Sequence, residues 1–160
     1  MRKEISTSGE RYDSSQDALS HIEIVRANID KMVSEIKLRG ENHDLSKLQE
    51  PEKSSNDYFI PLLKKVKFGT PEYVKVDSER RNGEGLKHHF KVNRHHPDHF
   101  QNGINDMNIV DIIEMICDTI AASRKSDSSF EDGLKFNAER YNFPKELENI
   151  ILNTYNEYFK

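Results

Sequence analysis

The sequence predicts an all-α fold in a single domain, a helical bundle of about six to eight helices. Apolar residues recur at three- and four-residue steps in several separate segments. No stretch alternates apolar and polar side chains over the length of a strand, and residues that cap or stop helices sit at the ends of the periodic runs. At 160 residues the chain is long enough for one core and too short for two ordinary domains.

Residues 1–12 carry few apolar side chains and read as a mobile N-terminal arm, which leaves 13–160 as the folded domain. Asp13, Ser14 and Ser15 offer cap oxygens to a helix whose stripe is Ala18, Leu19, Ile22, Val25, Ile29, Met32, Val33 and Ile36, with Gly40 as its expected stop. Ser54, Ser55 and Asn56 can cap a second helix through Val66, in which Pro61 predicts a kink or a late start near Ile60. Thr70 and Pro71 form a cap and first position for a third, and residues 80–83 look like a turn, although a helix could run through them. A short helix follows at 85–93. The segment 107–122, capped from Asn105 or Asp106, is apolar almost all round and is the expected central helix. Helices at 130–141 and 144–158 complete the chain.

The net charge of -4, with 24 basic against 28 acidic residues, argues against a broad surface for nucleic-acid backbone. One cysteine, Cys117, excludes an internal disulfide framework. No apolar run approaches the roughly 18 residues of a membrane span, and the polar start shows no signal peptide. The chain reads as cytoplasmic, with no membrane partner and no nucleic-acid substrate.

Chemistry concentrates around His43-Asp44-Leu45-Ser46-Lys47, where a His-Asp step can give two ligands to one divalent metal and a lysine can reach a phosphate oxygen. Five of the seven histidines, His88, His89, His95, His96 and His99, lie within twelve residues. Without cysteine thiolates nearby they suit an imidazole and carboxylate site better than a structural zinc finger. Asp111, Glu114 and Asp118 share one face of the central helix, where an unpaired charge is costly and a metal relieves the cost. Spacing leaves open which of His88 and His89 faces the metal. Glu114 and His99 are each either a proton donor to a leaving group or a partner fixing a ligand histidine, and Asp111 is equally open. The basic runs at Lys64 to Lys67 and at Arg80-Arg81 read as solvated faces.

The ordered set His21, His43-Asp44, the histidine cluster and Asp118 resembles the HD superfamily of metal-dependent phosphohydrolases. The segment from His43 through Pro51-Glu52, the step His95-His96-Pro97-Asp98, and the run Ile116 to Ala122 are similar to the HD-GYP branch, although that branch's glycine, tyrosine and proline run is absent. From His21 to the C-terminus the pattern is also similar to an uncharacterised family of phage and bacterial proteins; a phage-encoded chain would work in the host cytoplasm. The resemblance implies an HD-type bundle in which His21, His43, Asp44 and Asp118 hold one metal. His89, His95 and His96 hold or support a second, with Asp44 between them, and Lys47 contacts phosphate. The implied cofactor is one or two divalent transition metal ions, among manganese, iron, cobalt, nickel and zinc. The expected function is hydrolysis of a phosphoester in a nucleotide or related small phosphorylated compound. Two other readings remain: a non-catalytic protein that binds or sequesters a nucleotide, and a di-iron redox protein.

Overall fold

The computed structural model describes residues 12–125 and 129–160. The expected arm over residues 1–12 therefore lies, apart from Tyr12, outside the described residues. Among those residues the chain is all-helical, with seven α-helices and no strand. No helix is long and apolar enough to cross a membrane.

The chain divides at Glu35 and Ile36 into two compact units. The N-terminal unit is most of one helix, α1 (Ser15–Asn42), started by Asp13 Oδ1 accepting from the Ser15 amide at 2.9 Å. Its apolar residues Leu19, Ile22, Val25 and Ile29 recur at three- and four-residue steps along the helix, as expected.

The C-terminal unit, residues 36–160, carries the core. Gly40 does not stop α1, which continues to Asn42, where the Asn42 amide group donates to Leu38 O at 2.8 Å. The left-handed residue that ends the helix is Asp44, at φ 59°. Aspartate tolerates this conformation better than most side chains, so it can take the place usually given to glycine. A 3₁₀ turn, Leu45–Leu48, follows.

Helix α2 (Glu52–Leu63) starts at Glu52, two residues before the first of the expected caps, so Pro61 falls in its last turn, where few downstream hydrogen bonds depend on it. Helix α3 (Pro71–Asn82) begins as expected, with Thr70 Oγ1 accepting from the Tyr73 amide at 3.3 Å. A single residue, Gly83, separates it from α4 (Glu84–Val92). Helices α2 and α4 meet closely at Gly85, where an added Cβ would lie 2.3 Å from Ser55 Cβ and 3.1 Å from the Pro51 carbonyl oxygen. That approach sets Glu52 opposite the histidines of α4.

Helix α5 (Ile109–Lys125) starts later than expected, because Asn108 and not Asn105 or Asp106 is its cap. Asn108 Oδ1 accepts from the amides of Val110 and Asp111 at 2.9 and 3.0 Å, while Asp111 Oδ2 accepts from the Asn108 amide at 3.0 Å. The two residues satisfy each other's orphan donors. Helix α6 (Phe130–Tyr141) opens with a capping box of Ser129 and Asp132, and α7 (Lys145–Tyr158) closes the chain. The core joins these three helices through Met115, Ile116, Ile120, Phe130, Leu134 and Ile151, the last only 1% exposed.

Gly85→Ala is expected to destabilise the protein by about 3 kcal/mol or more, since the clash is with a first side-chain atom and backbone and neither can swing away. Urea unfolding of the variant beside the parent measures this; a loss below about 0.5 kcal/mol would mean that α2 and α4 can separate freely.

Candidate metal centre

The site forms where the end of α1, the start of α2, the α4 segment through His96, and the middle of α5 come together. Asp44 lies at its centre. Its Oδ1 is 3.4 Å from His89 Nε2 and 3.6 Å from His95 Nε2, and its Oδ2 is 3.3 Å from His43 Nε2. His43 Nε2 also lies 3.6 Å from Asp118 Oδ1, and His89 Nε2 lies 2.8 Å from His96 Nε2. Donor atoms about 2.1 Å from one ion, at right-angled to tetrahedral positions, are about 3.0 to 3.4 Å apart. The spacings bracket that range.

The rings are aimed by two carboxylates on their far side. Glu52, 1% exposed, accepts from Nδ1 of His89 at 2.8 Å and of His88 at 2.8 Å, and its Oε2 also accepts from Ser46 Oγ at 3.0 Å. Asn93 Nδ2 in turn donates to Ser46 Oγ at 2.9 Å. Glu114 Oε1 accepts from His43 Nδ1 at 2.8 Å and lies 3.1 Å from His95 Nδ1, while Arg39 grips Glu114 Oε2 through Nε at 2.7 Å and Nη2 at 2.6 Å. With Nδ1 of His89 carrying the proton toward Glu52, its Nε2 presents its lone pair inward, and Nε2 of His43 and of His95 face the same centre.

Ligand atoms gather in two groups that share Asp44: Asp44 with His89, His95 and His96, and Asp44 with His43 and Asp118. A third group, His43, His95 and Glu114, consists of the Nδ1 and carboxylate atoms already paired with one another. Asp44 Oδ1 and His95 Nε2 are buried without a hydrogen-bond partner. Such atoms are rare in folded proteins and costly, and two of them facing each other between neutral imidazoles fit a cation. This set of side chains could hold an ion.

Electrostatics divides the rings: His89 and His96 are held neutral, and His43 is held protonated. Burial, with Lys47 nearby, lowers the His89 pKa, and burial together with His95 and His89 pushes His96 well below the usual imidazole range, so both rings are neutral at pH 7. Hydrogen bonds to Asp118, Asp44 and Glu114 push the His43 pKa up to about 11. Burial opposes ionisation of Asp44, Glu114 and Asp118, but His43 and its cationic neighbours hold all three below the ordinary carboxylate range.

His43, Asp44, His89, His95, His96 and Asp118 thus converge. His21 is exposed on α1 within the N-terminal unit, and both groups of ligand atoms fall in residues 36–160. The open choice between His88 and His89 resolves by burial: His89 turns Nε2 inward, while His88 lies outside Glu52 with 39% of its side chain exposed. Glu114 takes the orienting place of its two expected ones, with both oxygens engaged. His99 donates from Nδ1 to Phe90 O at 3.0 Å, a backbone anchor. Asp111, fully buried, binds Arg39 at 3.0 Å and Arg94 through Nε and Nη2 at 3.1 and 3.0 Å. The Lys47 ammonium pairs with Asp44 Oδ2. Arg81, in one of the basic runs, is paired with Asp77 and Asp98 and is not a free face.

A family model matches residues 10–157 of the chain, nearly its whole length. The chain belongs to the family of unknown function DUF5662. No curated protein and no solved structure matches it.

Sequence reasoning did not assign a role to Glu52, Arg39, Ser46 or Asn93. Glu52 is separated from His89 by 37 positions, and no local pattern links an acidic residue at a helix start to an imidazole that far along. Replacing Glu52 by alanine is expected to weaken divalent-metal binding about 10- to 100-fold by freeing the His89 ring. His88→Ala, which touches the same carboxylate from outside, should leave affinity within a few-fold of the parent. Titration calorimetry on both variants measures the contrast, and equal losses would mean that His89 is not the ligand.

Proposed function

We propose that the protein is a metal-dependent phosphohydrolase acting on a small phosphorylated compound, with divalent transition metal ions held by His43, Asp44, His89, His95, His96 and Asp118. The observation that carries this reading is the position of Asp44, whose two oxygens face separate groups of ligands. A carboxylate so placed can serve two ions a few ångströms apart, an arrangement suited to phosphoryl chemistry. The HD-like order of His43-Asp44, paired histidines and Asp118 supports the same reading.

When bound, a divalent metal supplies Lewis acidity toward a phosphoryl oxygen and lowers the pKa of water. The chain supplies the rest. Glu52 and Glu114 hold the imidazole tautomers, so no ring must reorient during reaction. Lys47, with 36% of its side chain exposed, reaches both Asp44 and the outside of the site. Its ammonium can move from Asp44 to an arriving phosphate and offset charge that grows on the phosphoryl oxygens. Arg39 is already paired with Glu114 and Asp111, so Lys47 is the better placed cation for that role.

Elemental analysis of protein purified without chelator or affinity-tag metal is expected to show bound metal that Asp44→Ala loses, together with phosphatase activity. Lys47→Ala should keep the metal and lower kcat by about 10²-fold. Activity retained in Asp44→Ala sinks the mechanism. Metal and nucleotide binding without phosphate release favours the sequestering protein, and metal-dependent oxygen consumption favours the redox one.

A further inference from the structure

Beside the ligand groups lies a cleft of about 270 Å³. Its floor is Arg39, His43, Glu114 and Asp118, and its walls are Ile36, Gly40, Val110, Ile113, Cys117 and Ala121. We propose that this cleft receives the organic part of the phosphoester and selects a compact apolar ring over a hydroxyl-rich sugar or polyol. The inference rests on the phosphohydrolase reading and names its substrate class.

Position is the first reason. His43 Nε2 and Asp118 Oδ1, 3.6 Å apart, belong to one of the ligand groups, so a molecule in the cleft has one end against the ion-binding edge. The walls are the second reason. Their side chains are aliphatic apart from one thiol, and the polar groups below are committed: Arg39 to Glu114 and Asp111, Glu114 to His43 and Arg39. A sugar hydroxyl pushed in along the walls would give up its hydrogen bonds to water and find an acceptor only at the Asp118 edge, whereas an apolar ring loses nothing polar and leaves water.

Gly40 is the third reason. It stands inside α1, where glycine is a poor helix former, and it did not end the helix as its sequence position suggested. No close packing demands it, because a Cβ built there meets no atom within 4 Å. It lines the cleft with no side chain of its own. The volume sets the occupant's size: ligand sites commonly run from about 300 to 1,000 Å³, so this one suits a single ring system with the phosphate outside it.

Cys117, exposed and the only cysteine, gives a readout that needs no catalysis. Its alkylation by iodoacetamide is measured on the metal-loaded protein, at one fixed pH, with and without 2-naphthol, while phosphate release is followed from naphthyl phosphate, adenosine monophosphate and glycerol phosphate. The expected result is that naphthol slows alkylation several-fold, and that kcat/KM for naphthyl phosphate exceeds that for glycerol phosphate about tenfold or more. Gly40→Leu, which adds a bulky side chain at a cleft-lining position free of clashes, should abolish the naphthol effect and collapse the ratio toward one. Gly40→Ala, a better helix former, checks that the loss is not one of folding, and should keep most of both effects.

A preference for adenosine monophosphate or glycerol phosphate over naphthyl phosphate overturns the proposal, since either would put hydroxyl groups where the cleft is argued to reject them. Alkylation indifferent to naphthol, or a selectivity ratio unmoved by Gly40→Leu, overturns it while phosphate release leaves the phosphohydrolase reading standing. Naphthol protection without phosphate release from any ester removes the hydrolytic reading and keeps the cleft as a site for an apolar ring.

Discussion

The hydrogen bond from an imidazole Nδ1 to a buried carboxylate is the interaction on which the site depends. Glu52 makes it to His89 and Glu114 makes it to His43. Each bond does two things. It pins a ring against rotation and tautomer exchange, and it decides that Nε2 faces Asp44. Without these carboxylates the rings could turn, and the inward-facing Nε2 atoms would be one orientation among several. Neither carboxylate is isolated in a dry interior. Ser46 and Asn93 back Glu52, and Arg39 backs Glu114, so the cost of burying each charge is met by charge-assisted hydrogen bonds.

The inner shell is different in kind. Asp44 Oδ1 and His95 Nε2 have no partner, and His89 and His96 meet nitrogen to nitrogen. The protein thus surrounds an unsatisfied centre with a rim held by hydrogen bonds and ion pairs. Asp44 reaches that centre because α1 ends on it in a left-handed conformation, which turns the backbone sharply between the His43 ring and the turn that carries Lys47. The doublet has its geometry from the helix end.

Much of this was legible in the sequence. The helices of 71–82, 130–141 and 145–158 could be placed from caps and periodicity, because Thr70-Pro71 and the apolar steps of the last helix act locally. Asp44, His43, the histidine cluster and Asp118 were recognisable as ligand types. What could not be read was long-range. Gly40 looked like a stop, yet the left-handed position fell on Asp44, and only the packing of the chain end decides between them. Asn108 displaced Asn105 and Asp106 as a cap because it exchanges bonds with Asp111, whose burial depends on arginines 17 and 72 positions away. Glu52 was invisible as a site residue since its meaning comes from the α2 and α4 contact at Gly85.

Asp111 joins three parts of the chain in one carboxylate. It closes the first turn of α5, holds Arg94 next to His95, and holds Arg39, which grips Glu114. None of these segments can open alone without stranding a charge on a fully buried oxygen. They therefore open together or not at all, as one cooperative unit of local unfolding. Backbone amides at the end of α1, around residues 93–95 and in the first turn of α5 should then share a single exchange free energy, although the chain places them in three separate regions.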